Sequence, residues 1–255
     1  MIHRAASYLC CFSLLAGCLF CSALQAADKE PAKADQPTIV TFGDSTTATR
    51  GPLVVYSTIL AQELPAAGIP VKVVNSGIGG NTTQQAVARF EKDVLQHNPD
   101  LVMIQYGIND SAIDVWRDPP ATRSRVSVEQ YDANLRKMIR QLKEKQVAVI
   151  LMTPNSLRWI PRMQKLYGKP PYDPEDPQGF NVLLKSYAAA VRKIAKEEHV
   201  PLVDVYAAFE NYDKQPNQAA DDLLLDGMHP NTAGQRMVAD LLLPQIKAAL
   251  AKQNK

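Results

Sequence analysis

The sequence predicts an α/β fold, a three-layer α/β/α sandwich whose central sheet has five parallel strands. Five short apolar runs rich in β-branched residues are typical of buried parallel strands, which lack alternation because both of their faces are covered. Longer amphipathic stretches separate these runs, which favours helices packed on both sides of one sheet. The 255 residues are 46% hydrophobic and 21% charged, which excludes a disordered, collagen-like or low-complexity chain.

The charge of the chain is close to balanced. It carries 28 Lys and Arg residues against 26 Asp and Glu residues, for a formal net charge of +2. Because nucleic-acid-binding proteins usually carry a concentrated basic excess, this balance argues against a nucleic-acid partner.

Residues 1–27 have the layout of a secretory signal peptide. The apolar run Ala5–Leu24 follows a weakly positive start, and small residues at 26–27 suit cleavage. We therefore predict export to the periplasm or beyond, with no membrane span in the mature chain. Two alternatives stay open. One is a retained membrane anchor, and the other is lipidation at Cys18, the last residue of a lipobox-like Leu-Ala-Gly-Cys sequence.

The cysteines all fall in this segment, at Cys10, Cys11, Cys18 and Cys21. Cleavage after it would leave none, so the mature chain is expected to lack disulfides, a thiol nucleophile and Cys-ligated zinc. The charged stretch at 28–37 is predicted to be a polar linker leading into one domain at 38–255.

The first predicted strand, Thr38–Phe42, runs into Gly43-Asp44-Ser45-Thr46. A serine at the carboxyl end of a parallel strand can expose its hydroxyl at the sheet edge where α/β proteins bind ligands. The alternative is that Ser45 is only the N-cap of a following helix, which is the commonest use of serine at such a boundary.

The second strand, Val71–Val74, leads into the glycine-rich stretch Asn75–Thr82. Its glycines allow close approach of a ligand to the backbone, and the start of the next helix favours negative charge. That helix is predicted at Thr82–Leu95, with Asn81 as its N-cap. The stretch could also be a tight turn or a phosphate-binding loop, although the Lys-Ser/Thr of a P-loop is missing.

The third strand, Leu101–Tyr106, is followed by Asn109 and Asp110. Asn109 can donate its side-chain amide at the same edge of the sheet, whereas Asp110 could serve only as a helix cap. Taken alone, this block leaves the function open.

The remaining elements continue the alternation, with helices at Val128–Lys145, Val182–Glu198 and Thr232–Leu250 and strands at Val147–Met152 and Leu202–Val205. Ser127 opens a capping box before the first of these helices. Pro244 interrupts the last helix and should break or kink it.

Two connections that follow strand ends should rim the crevice, 111–125 and 153–180. The second is long for a compact domain and rich in proline, which favours a functional loop. Aromatic faces beside basic groups suit a sugar, so Trp116, Arg158 and Trp159 are candidate substrate-binding residues. An equal alternative is that these aromatic residues pack the loop onto the domain.

The fragment Asp226-Gly227-Met228-His229 decides between these possibilities. An aspartate three residues before a histidine can accept the Nδ1–H and leave Nε2 free as a base. Of the other histidines, His3 lies in the predicted signal peptide. His97 and His199 lie near helix ends, at the opposite edge of the predicted sheet.

Four blocks together resemble the SGNH hydrolases, also called GDSL-type esterases/lipases: Gly-Asp-Ser at 43–45, the glycines at 77–80, Gly-x-Asn-Asp at 107–110 and Asp-x-x-His at 226–229. The order and spacing of the family are kept over nearly the whole mature chain. Thr46 replaces the usual leucine, which leaves the subfamily open but not the chemistry.

The resemblance implies a flavodoxin-like sheet and a residue-by-residue set of roles. Ser45 would be the nucleophile, His229 the base and Asp226 its partner. The oxyanion hole would be formed by the N–H groups of Ser45 and Gly80 and the amide of Asn109. The donor glycine of the family lies just before the polar residue at the helix start, which selects Gly80. No metal or organic cofactor is implied.

The predicted function is a secreted serine esterase that hydrolyses small acyl esters, acetyl in particular, on carbohydrate. A lysophospholipase or acyl-thioesterase of the same fold is the alternative among enzymes. From another class, a non-catalytic flavodoxin-like module could bind an anionic ligand at 77–83, but this leaves the Asp226–His229 pair unexplained.

Overall fold

A computed structural model describes residues 36–253 of the chain. The predicted signal peptide, all four cysteines and nearly all of the predicted linker lie outside the described residues.

The sheet has five parallel strands in the order β2-β1-β3-β4-β5. The strands are β1 Thr38–Gly43, β2 Lys72–Gly77, β3 Leu101–Gln105, β4 Ala148–Met152 and β5 Leu202–Val203. Each predicted strand is confirmed, although β5 is shorter than predicted. Its predicted last residue, Val205, instead begins a helix whose N-cap, Asp204, accepts a hydrogen bond from the N–H of Ala207.

The helices in the described part of the chain are α1 Tyr56–Ala66, α2 Thr83–Asp93, α3 Ile108–Ser111, α4 Val128–Glu144, α5 Pro161–Tyr167, α6 Leu184–Glu197, α7 Val205–Tyr212 and α8 Thr232–Gln253. Short 3₁₀ turns lie at Leu95–His97, Gly179–Asn181 and Ala220–Leu223. The four long predicted helices are confirmed as α2, α4, α6 and α8. None of the helices between residues 36 and 253 is long and apolar enough to cross a membrane.

One predicted helix detail is wrong, and the break that was one of the two outcomes predicted at Pro244 does not occur. The N-cap of α2 is Thr82 and not Asn81, because the Thr82 side chain and the side chain of Gln85 form the reciprocal capping pair. Pro244 does not end α8, which continues to Gln253. Pro244 lies at an exposed position of the helix, where its missing N–H is tolerated.

Helices cover both faces of the sheet and create two apolar cores. On one face α2, α4 and α6 pack against the strands through residues that include Phe90, Leu135 and Val191. On the other face α1, α7 and α8 contribute residues that include Leu60 and Phe209. The predicted three-layer sandwich is therefore confirmed. The inner strands β3 and β4 are almost wholly apolar, as two covered faces require, whereas the edge strand β2 includes Lys72, Asn75 and Ser76.

A third apolar cluster holds the connection 153–180 against the domain. Tyr167, Tyr172 and Phe180 are buried there, and the Trp159 ring stacks on Phe180 with the two ring centroids 4.4 Å apart. These contacts support the packing alternative for the aromatic residues of this segment. The segment also includes the short helix α5, which the pattern of prolines does not predict.

Candidate active site

Three strand ends meet at one edge of the sheet. Gly43 at the end of β1 lies level with Gly77 of β2 and with Gln105 of β3. The residues that follow these positions therefore converge on the same space, beyond the carboxyl ends of the strands.

Ser45 lies in a single turn and not at the start of a helix. The carbonyl oxygen of Asp44 accepts hydrogen bonds from the N–H groups of Thr47 (3.2 Å) and Ala48 (3.0 Å), and the next helix begins only at Tyr56. The N-cap alternative for Ser45 is thereby removed, since no regular helix follows that it could cap.

A buried polar network fixes this turn. The Asp44 carboxylate accepts hydrogen bonds from the N–H and the hydroxyl of Thr46, each at 2.9 Å. The side chain of Gln235, in α8, donates to the carbonyl oxygen of Thr46 at 3.2 Å. Burial raises the pKa of Asp44, against the lowering effect of its bonds from Thr46. A threonine at position 46 thus serves a polar network that a leucine could not join.

The imidazole of His229 bridges Ser45 and Asp226. Its Nε2 lies 2.9 Å from the Ser45 Oγ. Its Nδ1 lies 2.8 Å from one Asp226 carboxylate oxygen and 2.9 Å from the other. The N–H of His229 also donates to Asp226, at 2.9 Å. This chain of contacts joins residues that are almost the full length of the domain apart in sequence.

The Asp226 carboxylate is held in its ionised form. Burial acts to raise its pKa, but hydrogen bonds from the side chain and backbone of His229 outweigh burial and lower the pKa of Asp226 to about 2. An ionised carboxylate next to Nδ1 favours the tautomer with the proton on Nδ1, which leaves Nε2 as an acceptor toward Ser45.

The turn that holds His229 requires glycine at position 227. Gly227 has a φ of +74°, and a Cβ there would come within 2.4 Å of the carbonyl oxygen of Arg158. The N–H of Arg158 in turn donates to the carbonyl oxygen of Gly227 at 2.8 Å. The connection after β4 therefore supports the His229 turn through its backbone.

The glycine-rich stretch approaches the Ser45 turn closely. A Cβ on Gly77 would lie 2.3 Å from the backbone nitrogen of Ala48, so only glycine fits at this position. Gly80 has a φ of +77° and open space around its Cβ position, so it is the backbone conformation that favours glycine there. Gly80 lines the same cavity as Ser45.

Asn109 lies in the short helix α3, and neighbours hold both ends of its amide. Its Nδ2 donates to the carbonyl oxygen of Asn81 at 3.1 Å. Its Oδ1 accepts from the Nη1 of Arg125 at 3.2 Å. Asn81, the predicted N-cap of α2, thus contributes its backbone oxygen to the site.

Asp110 caps α2. Its Oδ1 accepts hydrogen bonds from the N–H (2.8 Å) and the hydroxyl (2.5 Å) of Thr83, the first residue of that helix. Its Oδ2 is buried without a hydrogen-bond partner in the described structure. Burial is the main cause that raises the pKa of Asp110 to about 6.

Arg89, a residue that the sequence analysis did not single out, ties the strand ends together from α2. Its Nη2 donates to the carbonyl oxygen of Gly43 at 3.1 Å and to the hydroxyl of Tyr106 at 2.7 Å. Its Nη1 donates to the carbonyl oxygen of Ser76 at 2.9 Å. No sequence motif indicates it, because two of its partners are backbone oxygens and a third, Tyr106, lies in a different part of the chain.

A cavity of about 340 Å³ opens beside Ser45 and His229. Its lining includes both polar and apolar residues. The polar or amphipathic lining residues are Gly80, Asn109, Ser111, Arg125, Tyr167 and Tyr172, and the apolar ones are Ile108, Ala112, Leu157, Phe180, Leu183, Leu184 and Met228.

The three predicted substrate-binding residues do not line this cavity. The Arg158 side chain is 7% exposed and pairs with Glu210 (3.0 Å) and Asp213 (3.3 Å), so its charge is already used within the fold. Trp159 stacks on Phe180, which leaves Trp116, 48% exposed, as the freest of the three.

Lining residues that the sequence analysis did not propose include Arg125, Tyr167 and Tyr172. All three lie in the two segments predicted to rim the crevice, so the position of a segment in the chain indicates that it contributes to the cavity wall. Which aromatic or basic residue of a segment faces inward depends on distant contacts, such as the hydrogen bond from the N–H of Ile113 to the hydroxyl of Tyr172 (2.9 Å).

Comparison with known proteins agrees with this geometry. The GDSL-like Lipase/Acylhydrolase family matches residues 41–237. An acetylxylan esterase of Geobacillus stearothermophilus is 34% identical over 191 residues, which are 74% of this chain and 77% of the relative. A Bacillus subtilis (strain 168) protein named an uncharacterized lipoprotein, YqeF, is 30% identical over 183 residues, 65% of this chain and 70% of the relative.

Solved structures give the same result for the fold. The crystal structure of Axe2, an acetylxylan esterase from Geobacillus stearothermophilus, has a TM-score of 0.65 and 30% sequence identity to the chain. The match covers 82% of this chain and 94% of that chain.

Proposed function

The chain belongs to the GDSL-like lipase/acylhydrolase family, the SGNH hydrolases, and from that premise we propose that it is an exported serine esterase that removes acetyl groups from carbohydrate. That it is an esterase of the SGNH type, acting on small ester substrates, follows from the family and its esterase relatives. We propose four further points: that Ser45 is the nucleophile, that acetyl is the preferred acyl group, that the substrate is a carbohydrate and that the protein is exported.

The single observation that carries the proposal is the 2.9 Å contact between Ser45 Oγ and His229 Nε2. In the first step Ser45 Oγ attacks the ester carbonyl carbon while Nε2 takes the hydroxyl proton. The imidazolium formed is stabilised by the Asp226 carboxylate at Nδ1. His229 then gives the proton to the leaving alcohol, and the acyl group stays on Ser45.

The negative charge that develops on the carbonyl oxygen needs hydrogen-bond donors in place before the reaction. The N–H groups of Ser45 and Gly80 and the amide of Asn109 are the proposed donors. Their support is that all three residues line the cavity beside His229. Ser45 begins no helix, so no helix dipole strengthens its N–H as a donor. Helix α2 begins at Thr83, three residues after Gly80, so Gly80 is not part of the first turn of that helix.

Water completes the reaction by the same route. His229 removes a proton from a water molecule, the resulting hydroxide attacks the acyl carbon, and acetate leaves as Ser45 regains its proton.

Acetyl is the proposed acyl group because an acetylxylan esterase is the 34% identical relative. The second candidate is a longer acyl chain on a lysophospholipid or thioester, and one observation favours it. The cavity wall includes Ile108, Leu157 and Met228, which could cover several methylenes. The polar residues Arg125 and Tyr172, which also line the cavity, suit a hydrated sugar better than a lipid tail.

Chain-length profiling separates the two candidates. Activity on p-nitrophenyl esters that is confined to acetate supports the deacetylase, whereas a maximum at about eight carbons or more supports the longer acyl chain. Release of acetate across a panel of acetylated oligosaccharides then identifies the sugar.

The catalytic role of Ser45 is tested directly. A fluorophosphonate probe should label the parent protein and leave Ser45→Ala unlabelled, and the variant should lose nearly all esterase activity while it remains folded. Release of acetate by Ser45→Ala at the parental rate would end the proposal. Absence of labelling and activity in the parent would instead favour a non-catalytic binding module at 77–83.

Export is the remaining part of the proposal. The lipobox-like sequence that ends at Cys18 and the 30% identical relative named a lipoprotein keep lipid tethering as the alternative to a freely released enzyme. The mass of the mature N-terminus distinguishes cleavage at 26–27 from cleavage before an acylated Cys18.

A further inference from the structure

We propose that Arg125 is a positioning residue, which fixes the orientation of the Asn109 amide so that its N–H faces the reacting carbonyl oxygen. The inference rests on the proposed function, because it assigns a task to a residue that supports the oxyanion hole. Arg125 would not contact the reacting atoms itself.

A side-chain amide has one donor end and one acceptor end of nearly the same shape. If the amide of Asn109 rotated by half a turn, its oxygen would face the oxyanion and repel it. An amide in an oxyanion hole therefore stabilises the transition state only when something distinguishes its two ends.

Arg125 makes that distinction chemically. A guanidinium has donors and no acceptor, so its contact with Asn109 at 3.2 Å is favourable only when the amide oxygen faces it. At the other end, the Nδ2 of Asn109 donates to the carbonyl oxygen of Asn81 at 3.1 Å, which uses one of its two N–H bonds. The Asn109 side chain also interacts with the carboxylate of Asp44, the neighbour of Ser45. The N–H side of the amide therefore faces the candidate site, and we propose that its second N–H turns to the substrate oxygen.

The guanidinium of Arg125 is itself held in place. Its Nε lies 3.2 Å from both carboxylate oxygens of Asp114, and its Nη2 donates to Asp114 at 2.7 Å. The Asp114 side chain is only 3% exposed. The backbone N–H of Arg125 also donates to the carbonyl oxygen of Ala112, at 3.0 Å. A fork bound on both arms presents its remaining donor, Nη1, in a fixed direction.

The same carboxylate provides a matched control. Arg117 pairs with Asp114 at 2.7 Å, but its side chain is 58% exposed and it does not line the cavity. Replacing Arg117 therefore removes an arginine from Asp114 without removing the donor to Asn109.

The test is a double-mutant cycle with p-nitrophenyl acetate, using Arg125→Met, Asn109→Ala and the double variant. Arg125→Met should lower kcat by about tenfold, the effect of one hydrogen bond from a charged group, and leave KM within about twofold. Arg117→Met should leave both constants close to those of the parent. If Arg125 acts through Asn109, the double variant should be no slower than Asn109→Ala alone.

Three outcomes overturn the proposal. The first is a double variant whose losses in kcat multiply, because Arg125 would then act independently of Asn109. The second is a rise in KM confined to acidic sugar esters, which would make Arg125 a substrate-binding residue. The third is an equal loss of kcat in Arg117→Met, because the loss would then come from removing any arginine that pairs with Asp114 and not from the contact with Asn109.

Failure of the proposed function is distinguishable from these outcomes. If the parent lacks Ser45-dependent activity and labelling, there is no oxyanion for Asn109 to face, and both ideas fall together. If Arg125→Met does not fold, as judged by thermal unfolding, the same cycle with Arg125→Lys decides. Lysine keeps the charge but cannot form the fork, so a non-additive loss in kcat is expected there too.

Discussion

The two nitrogens of the His229 ring have different neighbours, and the difference assigns their tasks. Nδ1 meets the Asp226 carboxylate and Nε2 meets the Ser45 hydroxyl. Since the hydrogen bonds from His229 keep the pKa of Asp226 near 2 despite burial, this carboxylate stays charged throughout the range in which the enzyme works. In the proposed mechanism, this charge stabilises the imidazolium that forms on His229.

Replacing Asp226 with Asn should remove that charge without removing the side chain. The amide of Asn can donate to Nδ1, which favours the tautomer with the proton on Nε2, the wrong nitrogen for accepting the proton of Ser45. We expect kcat for p-nitrophenyl acetate to fall by about 10³–10⁴ at neutral pH, with a small change in KM. A variant that keeps a tenth of the parental kcat would show that Asp226 does not hold the tautomer.

At the residue scale, the sequence indicates which side chains could carry out the chemistry. It does not indicate which charged side chains already form ion pairs with distant residues. Ser45, Asp226 and His229 could be proposed because their types and order are those of a triad. Arg158, a predicted substrate-binding residue, pairs with Glu210 and Asp213, which lie about fifty residues further along the chain. No local pattern distinguishes it from Arg125, which faces the cavity.

At the scale of elements, the site depends on the loop after β2 packing against the turn after β1. Gly77 permits this approach, since a Cβ there would lie 2.3 Å from the nitrogen of Ala48 and 2.6 Å from the carbonyl carbon of Thr47. Both atoms belong to backbone, which cannot rotate away as a side chain can.

Gly77→Ala should therefore displace the Ser45 turn. We expect a loss of roughly 1–3 kcal/mol in the free energy of unfolding, together with a fall in kcat, from urea titration and steady-state rates. Gly79→Ala is the matched control, because its Cβ would meet only the Ser45 Cβ at an ordinary 3.9 Å. Equal stability of the two variants would contradict the role given to Gly77.

The elements that the sequence analysis missed share a physical reason. Helix α1 begins after Val55, which offers no side-chain cap, and its first residues follow a β-branched run that is also typical of a strand. Helix α7 follows a strand of only two residues, so the apolar run there belongs to two elements. Propensity and periodicity are weak where packing against α8 or the sheet decides the conformation.

Pro244 lowers the stability of helix α8. It lies inside α8 on an exposed position, so the helix is continuous although one backbone hydrogen bond is missing. Pro244→Ala restores the N–H that can bond to the carbonyl of residue 240. We expect the free energy of unfolding to rise by about 1–2 kcal/mol, less than the full cost of an interior proline because the unfolded chain also gains freedom. An unchanged or lower Tm would contradict this expectation.

At the scale of the whole molecule, the strand order explains where the proposed catalytic residues lie. The chain passes from β1 to β2 on one side and then crosses to β3 on the other side of β1. The loops after β1 and β3 therefore diverge at this reversal and leave a crevice, the position at which open α/β sheets bind ligands. The residue pattern alone predicts the edge of the sheet where the site lies. The strand order follows only from the family resemblance, since a flavodoxin-like sheet has this order, and the structure confirms it.

The same crevice places two carboxyl groups in the interior, and they make the stability of the fold depend on pH. Burial raises the pKa of both Asp44 and Asp110, the latter from its ordinary value of 3.8 to about 6. Between about pH 4 and pH 6 the native protein thus holds a proton on Asp110 that the unfolded chain has released. Raising the pH through this window removes that proton, so the free energy of unfolding falls.

The expected fall due to Asp110 is roughly 3 kcal/mol, and Asp110→Asn isolates it. The amide cannot ionise and can still accept from Thr83, so the variant should lose less stability than the parent between about pH 4 and neutral pH in urea titrations. The contribution of Asp226 does not interfere, because its pKa near 2 means that its stabilisation is lost only at more acidic pH. Parallel curves for the parent and Asp110→Asn would show that another group, Asp44 first, carries the dependence.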